Sequence, residues 1–118
     1  QAAELLSQVQ EIAGRKTLIT TVQGVDAKSL RNLHDGVKSK LDNAVIVIAA
    51  VDADKVSLIA SVAKEYTAAV KAGDIIKHLG QELGGKGGGK PDMAQGGAPY
   101  SDKLEAVMTD LVAWLAAK

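Results

Sequence analysis

A continuous apolar run near the middle of the chain, Ala44–Val51, limits the folds open to this sequence more than any other feature. Its β-branched residues and its short length predict a β-strand over Ala44–Ala50 rather than a helix. Because polar and apolar residues do not alternate here, we expect both faces of the strand to be buried. The fold must therefore place structure on each side of its sheet.

The segments around this run predict a mixed sheet. Thr17–Gln23 is rich in β-formers, and Asp26 can cap a following helix whose apolar residues recur at steps of three and four, namely Leu30, Leu33, Val37 and Leu41. A strand–helix–strand order normally closes a parallel pair by a right-handed crossover. The turn Asp52–Asp54 then leads into an alternating strand over Val56–Ala63, which we expect to pair antiparallel with Ala44–Ala50.

Residues 1–14 are predicted to form a helix, because apolar residues recur at helical spacing and Gly14 fits a C-terminal stop. We interpret this helix as the end of a helical linker, and residues 15–118 as one globular domain that binds nucleic acid. The chain begins with Gln1 rather than Met, so we expect it to be part of a longer protein.

The C-terminal half predicts two helices joined by a glycine-rich loop. Asp74–Leu83 is predicted to be a helix, and residues 84–99 a loop with a short extended piece at Asp92–Gln95. Asp102 and Glu105 resemble a capping box for a final helix, in which Trp114 is interpreted as a core residue. The predicted fold class is a single α/β domain: a mixed β-sheet, with a parallel βαβ unit and an antiparallel hairpin, flanked by helices.

Composition excludes several classes of function. The chain has no cysteine, which rules out disulfides, thiolate catalysis and cysteine-based zinc sites, and fits the reducing cytoplasm that we predict as its location. Fourteen basic residues balance fourteen acidic ones, so any contact with nucleic acid must come from local clustering of charge. No apolar run approaches the roughly 20 residues of a membrane helix, and no membrane partner is expected.

The strongest local signal is the segment Gly84–Gly97, GGKGGGKPDMAQGG, which holds seven of the twelve glycines. Glycine leaves backbone N–H groups unshielded, and consecutive N–H groups in turns form a concave nest for an anionic oxygen. Lys86 and Lys90 add positive charge, and Gln95 can donate and accept hydrogen bonds to a base edge or a ribose hydroxyl. Lys77 and His78, on the preceding helix, are peripheral candidates.

On the residues alone, three interpretations of this segment stay open: a flexible linker, a structural turn and an anion site. A nucleotide-hydrolysing P-loop is rejected. Gly84–Lys90 fits its glycine and lysine spacing, but Pro91 occupies the position where Ser or Thr would hold magnesium, and the preceding segment is a predicted helix rather than a strand.

No other residues predict catalysis or metal binding. Asp26, Asp52 and Asp54 fit capping and turn positions better than a metal site. His34 lies off the apolar stripe of its helix and is interpreted as a solvated surface residue. The basic face of residues 28–38 is interrupted by Asp35 and is interpreted as a solvated face.

The run GGKGGGKPDMAQGG resembles the signature of the DHHA1-type domain at the end of alanine–tRNA ligases, and the rest of residues 1–118 is similar to that domain in element order. The resemblance implies a non-catalytic domain that contacts the outer corner of tRNA, where the D and T loops meet, and supports aminoacylation and editing. Related domains on phosphoesterases often end the loop with His, and Lys90 holds that position here.

The candidate nucleic-acid-binding site therefore comprises Lys86, Gly87, Gly88, Gly89, Lys90, Met93, Gln95, Gly96 and Gly97. The implied partners are tRNA-Ala and other domains of the parent chain, with DNA and a homodimer as further options. The resemblance implies no cofactor in this domain, while a whole ligase would use ATP, Mg²⁺ and, as an open option, Zn²⁺ elsewhere. The alternative functions are a protein-interaction or dimerisation module and the substrate-binding domain of a DHH-type phosphoesterase.

Overall fold

Helices cover both faces of one six-stranded sheet in the computed structural model, which describes residues 2–118. The helices are α1 (Ala2–Leu5), α2 (Ala27–Lys40), α3 (Ala72–Leu83) and α4 (Leu104–Ala116). The strands are β1 (Gln10–Ile12), β2 (Arg15–Gln23), β3 (Ala44–Asp52), β4 (Lys55–Val62), β5 (Lys86–Gly89) and β6 (Met93–Pro99), in the order β1-β2-β3-β4-β6-β5. No helix in the described part of the chain is long and apolar enough to cross a membrane.

The predicted mixed sheet is confirmed. β2 and β3 pair in parallel, with Ile19 opposite Val47, and α2 makes the crossover between them. β3 and β4 form an antiparallel hairpin, and every residue of β3 except Asp52 is buried. Asp26 caps α2 as predicted, since its carboxylate accepts a hydrogen bond from the Ser29 N–H at 2.8 Å.

The two faces of the sheet bury separate cores. Odd-numbered residues of β3, such as Val47, pack with α3 and α4, and we call this side the α3 face. Even-numbered residues, such as Ile46 and Ile48, pack with Leu30 and Val37 of α2, and we call this side the α2 face. The alternation of side chains along a strand thus lets one apolar run anchor helices on both sides.

The helix predicted over residues 1–14 is wrong beyond its first turns. α1 ends at Leu5, a 3₁₀ turn follows, and β1 pairs antiparallel with β2. Ala13 and Gly14 both have positive φ, so Gly14 completes a two-residue hairpin turn instead of ending a helix. Leu5 packs on the α2 face and Ile12 packs on the α3 face. A single helix on one side of the sheet could not place these two residues in cores on opposite faces.

Two predictions in the C-terminal half are also wrong. Residues 84–99 are mostly not a loop: Lys86–Gly89 and Met93–Pro99 form the hairpin β5–β6, because the glycines let the backbones pack closely, and the extended piece predicted at Asp92–Gln95 overlaps the start of β6. The capping box of Asp102 and Glu105 does not form. α4 begins at Leu104, and the Ser101 hydroxyl accepts the N–H of Lys103 at 3.0 Å instead. After β4, a 3₁₀ turn forms over Lys64–Tyr66.

His34 is fully buried between α2 and β4, which contradicts its interpretation as a solvated residue. Its ring lies 2.7 Å from the Ser61 hydroxyl through Nε2 and 3.1 Å from the Asp35 carboxylate through Nδ1. Because a carboxylate only accepts, Nδ1 donates and Nε2 of the neutral ring accepts from Ser61. Desolvation by burial lowers the pKa of His34, although the hydrogen bond to Asp35 opposes this effect.

This buried histidine predicts a pH dependence of stability. As pH falls below 6.5, the ordinary pKa of the imidazole, the unfolded chain takes up a proton on His34 before the folded chain does. The folded state therefore loses stability, by at most about 1.4 kcal/mol per pH unit, until the lower pKa of the folded state is reached. Urea unfolding between pH 7.5 and 5.5 should show a smaller loss in His34→Gln, which lacks the buried imidazole. An equal loss in both proteins would contradict the assignment of a neutral buried ring.

Candidate nucleic-acid-binding site

The glycine-rich segment forms a hairpin at one edge of the sheet, where β5 is the outermost strand. The start of α3 holds its turn in place. The N–H of Ala72 donates to the Pro91 carbonyl at 2.7 Å, and the N–H of Gly73 donates to the Lys90 carbonyl at 3.2 Å. Two of the N–H groups that a helix leaves unpaired at its N-terminus are therefore satisfied by this turn.

Most glycines of the hairpin are required by close packing. A Cβ atom at Gly87 would lie 2.5 Å from Cγ2 of Ile76 and 2.6 Å from the Gly96 Cα, and one at Gly96 would lie 2.6 Å from the Lys86 carbonyl oxygen. At Gly89, a Cβ would lie 2.8 Å from the Ala94 Cα, and φ is +156°. These residues let β5, β6 and α3 approach one another closely, so their glycines are explained without any ligand.

Gly88 is the exception in β5. A Cβ atom built there has no heavy atom within 4 Å, and its φ is not in the left-handed range. The residue is exposed and lies opposite Gln95 of β6. Packing therefore does not explain why this position lacks a side chain, and the space above it is open to a ligand.

Several predicted site residues share the α2 face. Gln95 is paired with Ile59 on one side and Gly88 on the other, and Ile59 belongs to the α2-face core. Directly opposite residues in antiparallel strands point their side chains to the same face. The same register aligns Ser57, Gly97 and Lys86 on that face, and it aligns Ser61 with Met93.

This part of the α2 face is open. α2 packs over β3 and β4. On the two outer strands, Lys86, Gly88 and Gln95 are exposed, while Met93 is half-buried against the core. Lys90 is also exposed and lies in the turn, with its N–H bonded to the Met93 carbonyl at 2.9 Å. We call the exposed surface of Lys86, Gly88, Lys90 and Gln95 the glycine-edge surface.

The nest of consecutive N–H groups predicted from the glycines is not formed. In an extended strand, successive N–H groups point to opposite sides. The N–H of Lys90 donates to Met93 of β6, and the direction of the N–H groups alternates along the strand from this residue. The N–H groups of Lys86 and Gly88 therefore face β6, while those of Gly87 and Gly89 point outward from the sheet edge. The edge therefore offers separated donors beside the two lysines, instead of a concave cradle.

Lys77 and His78 do not extend this surface. They lie on α3, which covers the opposite face of the sheet. His78 stacks on Trp114 of α4, with ring centroids 4.6 Å apart and planes inclined by 13°. Nζ of Lys118 lies 4.3 Å from the Trp114 ring centroid. Trp114 is only half-buried, so its interpretation as a core residue holds in part.

Sequence inspection missed charged residues that the fold brings near the glycine-edge surface. A depression of about 250 Å³ lies between the end of α2 and the β5–β6 turn, and it is lined by Lys38, Lys64, Asp42 and Asp92 among others. Only the crossover and the sheet register bring these segments together, so no local motif signals them. Within residues 2–118, no three acidic or histidine side chains converge as metal ligands.

On the outer face of α2, Arg31 and Asp35 form an ion pair at 3.4 Å. A hydrogen bond from His34 and the charge of Arg31 lower the pKa of Asp35, the hydrogen bond having the larger effect. The basic face of residues 28–38 is thus partly neutralised, which agrees with its interpretation as a solvated face.

Comparison with known proteins gives one consistent family. Residues 14–117 match the DHHA1 domain family. The chain is 58% identical to an alanine–tRNA ligase of Psychrobacter cryohalolentis over 98% of its own length, but it spans only 13% of that relative. Among solved structures, it is similar to the C-Ala domain of alanyl-tRNA synthetase from Aquifex aeolicus, with a TM-score of 0.79 and 29% identity over 92% of this chain and 97% of that one. It shares only its fold with a pGpG-specific phosphodiesterase of Vibrio cholerae, at 9% identity and a TM-score of 0.53 over 98% of this chain and 37% of that one.

Substitutions at the neighbouring residues Gly87 and Gly88 test which glycine is required by packing, because their expected effects on stability differ. Gly87→Ala should lower the free energy of unfolding by about 1–3 kcal/mol, because its Cβ would overlap the Gly96 backbone. Gly88→Ala should leave it unchanged or raise it by up to about 1 kcal/mol, because the added methyl meets only solvent and restricts the unfolded chain. Urea titration of both variants measures the difference. Equal destabilisation would contradict the hairpin register.

Proposed function

The chain belongs to the DHHA1 domain family, and from that premise we propose that it is the C-terminal, non-catalytic, tRNA-binding domain of a bacterial alanine–tRNA ligase. Its partner would be tRNA-Ala, contacted at the outer corner where the D and T loops meet. By that contact the domain would support aminoacylation and editing by other domains of a cytoplasmic parent enzyme. ATP, Mg²⁺ and any Zn²⁺ would be bound in those other domains.

The observation that carries this proposal is the exposed, side-chain-free position Gly88, which lies opposite Gln95 and in the same strand as Lys86. The neighbouring glycines are accounted for by packing, whereas this one is not. A nucleic-acid backbone could approach the sheet closely at this position, since no Cβ stands in the way. The charge of the flanking lysines favours a polyanion on a chain whose net charge is zero.

Each residue of the glycine-edge surface would have a distinct role. The ammonium groups of Lys86 and Lys90 would contact phosphates and release counterions. The outward N–H groups of Gly87 and Gly89 would donate to phosphate or ribose oxygens at the sheet edge. The Gln95 amide would be the group able to distinguish a base edge or a 2′-hydroxyl, because it both donates and accepts.

The alternative functions have less support. A dimerisation module would need a long amphipathic helix over residues 1–14 as its interface, and α1 ends at Leu5. The phosphoesterase alternative is favoured only by shared fold with a phosphodiesterase, and fold alone does not carry function. A role of DNA as ligand stays a prediction that the same binding measurements can test.

Replacement of both lysines tests the proposal. Lys86→Ala with Lys90→Ala should weaken binding of tRNA-Ala by roughly tenfold or more and reduce the slope of log affinity against log salt by about one for each lost phosphate contact. Fluorescence anisotropy at several salt concentrations measures both quantities. Gly88→Ala should weaken binding without changing the salt slope, because it blocks approach and removes no charge.

The matched control is Lys77→Ala with Lys103→Ala, which removes the same charge from α3 and from the start of α4. This control should bind tRNA nearly as well as the unchanged chain. If the two double variants lose affinity equally, binding is a general effect of charge. The glycine-edge surface would then not be the tRNA site.

A further inference from the structure

The first turn of α3 is capped by the β5–β6 turn instead of by a side chain. Lys71, the N-cap residue, makes no side-chain hydrogen bond to the helix. The N–H groups of Ala72 and Gly73 donate to the carbonyls of Pro91 and Lys90, at 2.7 and 3.2 Å. Two backbone carbonyls thus take the role that a Ser or Asp side chain has at many helix starts. The place of the turn is therefore set by the helix.

The approach of the hairpin to α3 depends on the missing side chain of Gly73. A Cβ atom there would lie 2.9 Å from the Gly89 carbonyl oxygen and 3.5 Å from the Gly89 nitrogen. Alanine would require the end of β5 to shift, because the atoms in contact are backbone and not the tip of a flexible side chain. Gly73 has no positive φ, and glycine weakens a helix relative to alanine. The contact with Gly89 is therefore what requires a glycine at this position.

The backbone of Lys90 is fixed from two sides by these contacts. Its N–H donates to the Met93 carbonyl of β6 at 2.9 Å, and its carbonyl accepts the N–H of Gly73. Its side chain is exposed. Asp74 and Asp92 are exposed nearby, but within residues 2–118 neither forms an ion pair with Lys90. A cation on an ordered backbone loses less conformational entropy when it binds a ligand.

We propose that Gly73 is a positioning residue for the tRNA site and acts through Lys90. Gly73 would not touch RNA itself. By admitting the end of β5 against the first turn of α3, it places the Lys90 backbone so that the ammonium group meets a phosphate at the glycine-edge surface. This inference rests on the proposed function, because it concerns one of the two lysines assigned there.

Gly80 offers a matched comparison on the same helix. It also faces the hairpin, but a Cβ atom there would lie 3.5 Å from backbone atoms of Gly85 and Lys86, which is ordinary van der Waals contact. Alanine therefore fits at residue 80 and does not fit at residue 73. The two substitutions make the same chemical change on α3, and only Gly73→Ala should displace the turn that carries Lys90.

Fluorescence anisotropy with tRNA-Ala at several salt concentrations tests the inference. Gly73→Ala should weaken binding nearly as much as Lys90→Ala, roughly threefold or more, and should likewise reduce the slope of log affinity against log salt. In the Lys90→Ala background, Gly73→Ala should cost little further affinity, because its effect passes through the lysine already removed. Gly80→Ala should bind as the unchanged chain does. A purely structural role would not move the salt slope in this way.

Amide signals and a second variant separate displacement of the turn from general unfolding. In Gly73→Ala, chemical shifts should change mainly over residues 89–93, and hydrogen exchange at residues 72 and 73 should become faster. Ala72→Pro displaces the turn independently. Proline is tolerated at the first helical position, but its ring would occupy the place of the Pro91 carbonyl. This variant should weaken tRNA binding in the same manner.

Three results would overturn the inference. Unchanged affinity in Gly73→Ala, beside weakened binding in Lys90→Ala, would refute it and leave the proposed function intact. A loss that adds in full to that of Lys90→Ala, or an equal loss in Gly80→Ala, would show that Gly73 supports the fold in general. Normal binding after replacement of both Lys86 and Lys90 would refute the proposed tRNA site, and the role of Gly73 would fall with it.

Discussion

Two-sided burial of β3 is the constraint from which the rest of the architecture follows. A strand with apolar side chains on both faces is stable only when each face is covered, so the helices divide between the two sides. α2, as the crossover between β2 and β3, covers the α2 face over β3 and β4. α3 and α4 cover the α3 face, and the two outer strands β6 and β5 extend beyond the reach of α2.

The glycines of the hairpin have two separate physical causes. Those at 87, 89 and 96 permit contact between backbones, because β5 lies directly against β6 and beneath Ile76 of α3. Gly88 faces the other way and meets nothing. A glycine-rich signature therefore mixes glycines that close packing requires with one that packing does not explain, and we expect substitutions at these adjacent positions to differ in their effect on stability.

The neutral net charge conceals an asymmetry between the two ends of the sheet. The β5 edge carries Lys86 beside open glycine backbone, while a depression between β2 and the start of α4 is lined by Asp102 and Glu105. The two ends of the sheet therefore differ in the charge of the side chains around them.

The sequence by itself determined the elements whose signals are local or periodic. The apolar run predicts β3, the three-and-four spacing with Asp26 predicts α2, and the order of residues in Gly84–Gly97 identifies the family. The candidate residues Lys86 and Gln95 were also found in this way, because lysine among glycines is visible without a structure.

Only the tertiary structure decided matters that depend on register and on faces. Helical spacing in residues 1–14 is compatible with one helix, but Leu5 and Ile12 belong to cores on opposite sides of the sheet. His34 looks like a surface residue on its helix until the crossover brings Ser61 beside it. Likewise, a run of glycines has no preferred partner of its own, so its pairing as β5 and β6 arises only when β4 and α3 supply the neighbours to which bare backbone can pack.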